Sequence, residues 1–293
     1  MYSLITFICW GLTDLFYKKG NIGKNKYNHL KTGIIVGLVM GIHATIYMII
    51  KNLSFDFVEL IKYLPVSFCY IISMIIGYKG LKYLELSLSS PIQNTSGVIT
   101  SLLLLLFFKE EYPLIAYLGI MLVFFGIVII SYLEQKENRS TKLKITKNKN
   151  INLLIILFPL IYCFFDGIGT FLDALYLDKF SIISEDNALI CYEYTFLVYA
   201  IASFIYLNRK KEKIKILQEK DKVIAALLET TGQFFYVFAM AKDSTIGATI
   251  VGSYCLLSLI LSHIFLKEKL SHGKYIGLLI AIIGIITLAI LDI

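Results

Sequence analysis

The chain has 293 residues, 57% of them apolar and 17% charged, with a mean hydropathy of +0.74. That exceeds what one soluble core needs, so soluble classes are excluded and most of the apolar surface is expected to face lipid. The 28 Lys and Arg outnumber the 21 Asp and Glu, for a net charge of +7, but they sit between apolar runs without interleaved aromatics, which excludes a nucleic-acid footprint.

Apolar runs of about 17–25 residues, the length that spans a hydrocarbon core, fall near 2–17, 32–50, 62–81, 88–108, 113–133, 152–176, 187–207, 222–241, 244–266 and 273–291. The first lacks a basic leader and a small-residue cleavage pattern, and reads as a retained span rather than a signal peptide. It carries Trp10 and, one helical turn on, Asp14; an aromatic face beside a carboxylate suits a cation. An ion pair of Asp14 with Lys18 or Lys19 at the membrane surface is the simpler account. In the second run Gly33, Gly37 and Gly41 are spaced for close helix packing. The fourth places Ser90, Asn94, Gly97 and Ser101 on one face, with Pro91 expected to loosen the helix start. Gln93 and Asn94 can both donate and accept, which suits a neutral or zwitterionic ligand; small-residue packing explains the same stripe.

The stretch 135–150 is polar and basic and reads as a flexible linker between residues 1–134 and 151–293. A second polar segment, 208–222, reads as a loop. An ionisable group at bilayer depth costs at least about 2.5–3.5 kcal/mol, so each needs a reason. In the sixth run Asp166, Thr170 and Asp173 share a helical stripe with Tyr162 one turn earlier, and in the eighth Glu229, Gln233 and Tyr236 do the same. Two such stripes facing each other would line a cavity; the bland alternative is that these acids satisfy partners inside the bundle. Glu193, in the seventh run, is open to a structural or interfacial role. His43 and His263 suit proton relay by their reference pKa, but lone intramembrane histidines are more often structural. Most of the 20 Phe and 20 Tyr are expected to pack or face lipid, with Tyr254 as a candidate ligand-stacking residue. Cys9, Cys69, Cys163, Cys191 and Cys255 all lie in apolar runs, an arrangement that argues against disulfides or a zinc site.

Residues 91–131 recur 158 positions later as 249–289: Ile92, Phe107, Lys109, Glu110, Tyr117, Gly119, Gly126 and Ile127 meet Ile250, Phe265, Lys267, Glu268, Tyr275, Gly277, Gly284 and Ile285. Five runs precede the linker and five follow. An odd number per half inserts the second half upside-down, so the expected fold is all-α, ten transmembrane helices in two inverted five-helix repeats. Lys109-Glu110 and Lys267-Glu268 are then expected on opposite membrane faces.

With the early Trp10-Gly11 pair, Lys79-Gly80-Leu81-Lys82-Tyr83 leading into Ser87–Pro91, the two Lys-Glu turns and the paired glycines after each, the chain resembles the ten-helix EamA-like carriers of the drug/metabolite transporter superfamily. The resemblance covers nearly the whole chain. It implies two five-helix bundles around a central cavity closed alternately at either end, in a bacterial plasma membrane. Its signatures are shared by carriers of amino acids, sugars, nucleotide sugars and organic cations. Many such carriers keep both termini in the cytoplasm. Here 23 of the 28 Lys and Arg fall on the face that holds both linkers, so the positive-inside rule makes that face cytoplasmic and puts both termini outside.

The reading from sequence is a secondary active transporter for a small polar metabolite, an amine or organic cation first, by alternating access with protons as coupling ion. Its substrate-binding residues are expected to be Trp10, Asp14, Gln93, Asn94, Asp166, Thr170, Glu229, Gln233, Tyr236 and Tyr254, and its partners the lipid bilayer, the substrate and protons. A sugar or amino-acid carrier of the same fold, and, from a different class, an intramembrane enzyme or a non-transporting scaffold, are the alternatives; a scaffold would have a packed centre. No Walker sequence, metal-ligand spacing or nucleophile elbow lies on a suitable loop, so neither enzymatic activity nor a cofactor is expected.

Overall fold

Within a bilayer the backbone finds no water, so each apolar run must satisfy its own N–H and C=O groups, which a helix does. The computed structural model describes residues 1–22, 25–54, 56–108, 111–141, 149–214 and 218–292. Among these there is no strand. In chain order the helices are α1 (Tyr2–Asn21), α2 (Asn28–Lys51), α3 (Phe57–Gly80), α4 (Leu86–Gln93), α5 (Thr95–Phe107), α6 (Leu114–Thr141) and α7 (Lys149–Ala174), which ends in a π-helical turn, Leu175–Lys179. They continue with α8 (Glu185–Arg209), α9 (Lys220–Lys242), α10 (Ser244–Gly252), α11 (Cys255–Leu266) and α12 (His272–Asp292).

Among the described residues, nine helical segments are long and apolar enough to cross a bilayer. The chain is thus a multi-pass membrane protein. The 20-residue α1 stands outside those nine, its hydropathy diluted by Thr13, Asp14, Lys18 and Lys19, and it packs lengthwise on α9 with Thr6 Oγ1 donating to the Gly232 carbonyl at 3.2 Å. Helix α6 extends through Thr141 and α7 begins at Lys149, so both reach into the stretch expected to be linker; residues 142–148, like Lys109 and Glu110, lie outside the described residues.

Two runs expected as single spans are each broken near the middle. The 88–108 run divides at Asn94, and 244–266 divides at Ser253 and Tyr254, nearly the same place under the 158-residue offset. Pro91 was expected to loosen the start of its span. The interruption instead follows it by three residues, and Asn94 Nδ2 bonds back to the Ser90 carbonyl at 2.9 Å. The breaks meet: a Cβ on Gly97 would lie 2.7 Å from the Ala248 carbonyl oxygen and 2.9 Å from Gly252 Cα, so only glycine permits this approach.

The largest helix contacts are antiparallel pairs. Gly119 and Gly126 of α6 oppose Gly284 and Gly277 of α12. Helix α1 lies on α9 (Trp10 against Gly232, Gly20 against Lys222), α3 on α7 (Gly77 against Tyr162, Tyr70 against Gly169), and α2 on α8, where Gly33, Gly37 and Gly41 admit Tyr199, Phe196 and Leu197. The glycine spacings read from sequence are those close approaches. All five cysteines are free thiols.

Contacts sort the connections into two ends. At the basic end Lys18 Nζ donates to the Leu81 and Leu84 carbonyls, Asn25 Nδ2 donates to Glu212, and the Leu86 and Ser87 N–H groups at the start of α4 donate to the two carboxylate oxygens of Glu268, at 3.0 and 2.8 Å. At the other end Tyr47 donates to Asp186, Tyr112 donates to Asp243, and Asp243 accepts from the Ile246 N–H to cap α10.

Candidate functional site

The helical stripes of both halves converge on one cavity, about 770 Å³ of empty space counting its opening. All ten residues expected from sequence to bind substrate line it: Trp10 and Asp14 on α1, Gln93 at the end of α4, Asn94 at the break, Asp166 and Thr170 on α7, Glu229, Gln233 and Tyr236 on α9, and Tyr254 at the second break. Most of the lining is buried; Trp10 and Asp166 are half-buried.

Three carboxylates project into this space from three helices, and each is met by hydroxyls. Asp14 accepts from Ser90 Oγ at 2.5 Å and Ser258 Oγ at 2.8 Å, so it stitches α1 to α4 and α11 from a buried position rather than lying at the membrane surface. Asp166 accepts from Ser96 Oγ at 2.6 Å. Glu229 accepts from Tyr17 at 3.3 Å, and Tyr17 in turn accepts from Tyr78 at 3.0 Å. Among the described lining residues there is no Lys, Arg or His, so the cavity is acidic without an internal counter-charge. Acids at this depth need a partner for any charge they carry, and the hydroxyls meet that need only in part.

Aromatic faces form one wall. The Trp10 ring lies 5.0 Å from Tyr236 and 5.7 Å from Tyr254, centroid to centroid. Gly232 makes room for it: a Cβ there would collide with the indole. Trp10 Nε1, Gln93 Nε2 and Gln233 Nε2 are buried donors with no hydrogen-bond partner in the protein, and all three residues line the cavity. Buried donors are rarely left unpaired, so each is available to an acceptor on a guest or to water.

Other residues are placed elsewhere. Asp173 shares the stripe of Asp166 but lies behind the cavity wall, fully buried, where it accepts from Tyr63 and, at 3.2 Å, from Tyr70. Tyr70 also bonds the Tyr236 hydroxyl at 2.7 Å, so Asp173 anchors two rings that face the cavity side. Glu193 pairs with His43 between α8 and α2, both carboxylate oxygens within 2.9 Å of Nδ1, and neither lines the cavity. His263 Nδ1 sits 2.7 Å from the Glu268 carbonyl at the basic end. No group of three or more potential metal ligands occurs among the described residues.

Tyr17, Tyr70, Tyr78, Tyr192 and Ser96 line the cavity but were not singled out from sequence. A signal for two of them existed: Tyr17 extends the Trp10, Asp14 stripe by one turn, and Tyr63, Tyr70 and Gly77 recur at seven-residue spacing on α3. Among so many tyrosines that spacing does not stand out.

The model of the EamA-like transporter family matches residues 1–132 and 153–290, one segment in each half. No curated protein matches the chain by sequence. Among solved structures, a protein crystal structure aligns over 99% of this chain and 96% of that one with a TM-score of 0.69 at 11% identity, a likeness of fold alone. With the family matched across both halves, the chain belongs to the EamA-like transporter family of the drug/metabolite transporter superfamily, whose members are generally transporters rather than enzymes.

Proposed function

We propose that this protein is a secondary active transporter for a small organic cation, an amine or quaternary ammonium, moved by alternating access with protons as the coupling ion. One observation carries the reading: a cavity shared by both halves, holding Asp14, Asp166 and Glu229 and no basic residue among its described lining, walled by Trp10, Tyr236 and Tyr254. Carboxylates supply charge pairing and the rings supply cation–π attraction. A packed scaffold has no need of such a space. Burying three ionised carboxylates together is costly, so each charge is met by a cation or a proton, and competition of the two for the same carboxylate couples them.

The ten-span, inverted-repeat plan belongs to the same proposal. It is supported by the antiparallel run of α6 against α12, which occupy corresponding places in the two halves, and by the matching breaks at Asn94 and Ser253-Tyr254. In this plan α1 is the tenth span, with Asp14 turned inward. Discontinuous helices beside a central cavity are how many secondary carriers expose backbone groups to their cargo. Tyr112, just before α6, lies at one end and Glu268, in the connection into α12, at the other, as such a plan requires. The lysine-rich end is assigned to the cytoplasm and both termini to the outside.

The unpaired donors on Trp10, Gln93 and Gln233 favour a second reading, a zwitterionic amino acid or a sugar, whose acceptors would satisfy them. Thermal-shift screening of the purified protein separates the two, because a ligand that binds only the folded state raises its stability. The identified substrate is then followed into liposomes. Asp166→Asn and Glu229→Gln keep shape and remove ionisation; wild-type uptake with unchanged pH dependence in both variants would show the carboxylate role to be wrong.

A further inference from the structure

A second hollow, about 230 Å³ counting its opening, lies at the basic end between the α1–α2 connection and the C-terminal end of α3. Its lining includes Lys26, Lys79 and Lys82, with His29, Asn25 and Asn28 beside them, and no carboxylate among the described lining residues. The contacts these lysines make are with rings and one carbonyl. Lys26 Nζ lies 4.8 Å from the Tyr27 ring, Lys79 Nζ 5.7 Å from Phe158, and Lys82 Nζ 5.9 Å from Tyr83 and 3.3 Å from the Asn25 carbonyl oxygen. Glu212, at the same end, is held by Lys31 at 3.7 Å and by Asn25.

Three lysines around one concave surface, with no carboxylate among its described lining, give it a positive potential that an anion would lower. Helix α2 starts here, at Asn28, with no side-chain cap on its first-turn N–H groups, which adds the positive end of a 24-residue helix. Tyr27 and Tyr83 flank the hollow, and tyrosine is a residue enriched where headgroups meet water. We infer that this hollow binds a phosphate oxyanion, the chemistry shared by an anionic phospholipid headgroup and a free phosphate. The site is separate from the central cavity and stands whether or not the cargo is a cation.

The test uses the full-length protein in two arms. In the first, native mass spectrometry counts phosphatidylglycerol retained against phosphatidylcholine; in the second, inorganic phosphate is compared with chloride at equal ionic strength by thermal shift. K79Q/K82Q removes two of the cations, and K213Q/K220Q removes the same charge from exposed positions at the same end. At about fivefold per lysine, K79Q/K82Q is expected to weaken binding about 25-fold, and K213Q/K220Q less than about twofold. A response in the lipid arm identifies a headgroup; one in the phosphate arm alone identifies a soluble ligand. If K79Q/K82Q does not fold, K26Q is read the same way, with about a fivefold loss expected. Binding in neither arm, or equal weakening by both pairs of substitutions, overturns the inference.

Discussion

Gly97→Ala against Gly167→Ala separates close helix contact from simple helix propensity. Both glycines lie in helices beside the cavity, and alanine in place of glycine favours a helix by at most about 1 kcal/mol. At Gly97 the added methyl would sit 2.7 Å from the Ala248 carbonyl oxygen and 2.9 Å from Gly252 Cα, against an ordinary contact of about 3.5–4 Å. Both neighbours are backbone, so relief requires α5 and α10 to move apart as bodies, an overpacking cost of about 1–3 kcal/mol. The net expectation for Gly97→Ala is a loss of about 1–2 kcal/mol. At Gly167 the nearest atom is Ser96 Cβ at 3.5 Å, so the methyl fits and the variant should hold its stability or gain slightly. Thermal unfolding in detergent reads the difference, about 2–4 °C per kcal/mol on the scale of soluble domains. Equal melting temperatures for the two variants would refute the claim that the helix breaks meet by glycine-only contact.

Trp10 is the only tryptophan and lines the cavity, so its fluorescence reports occupancy directly: a quaternary ammonium should shift or quench the emission, Glu229→Gln should weaken that response, and a flat titration would exclude an aromatic cation site. Glu268→Ala removes both acceptors from the start of α4 and should cost about 0.5–2 kcal/mol, the range of a lost N-cap; an unchanged melting temperature would mean that the cap contributes nothing. Asp173→Asn replaces one acceptor oxygen with a donor beside the Tyr63 and Tyr70 hydroxyls, and should destabilise the fold by about 1–3 kcal/mol while leaving any carboxylate pairing in the cavity in place; loss of cation binding at full stability would instead make Asp173 part of the site.

The membrane class, nearly all the helix positions and the family were legible along the chain, because each depends on local content: run length, lysine placement, and motifs repeated 158 residues apart. The stripes Asp166, Thr170 and Glu229, Gln233, Tyr236 were legible for the same reason, since the period of a helix sets which residues share a face. What no stripe states is which other stripe it meets. Asp173 has the same spacing credentials as Asp166, yet one faces the cavity and the other is tied to Tyr63 and Tyr70 behind it. Asp14 could have been paired near the surface with Lys18, and its burial against Ser90 and Ser258 came only from how α1, α4 and α11 pack. The helix breaks and the capping of α4 by Glu268, 182 residues distant, were likewise decided by packing. Periodicity reports the surface a helix offers; the partner for that surface is chosen by contacts between segments far apart in the chain, and those exist only once the bundle has formed.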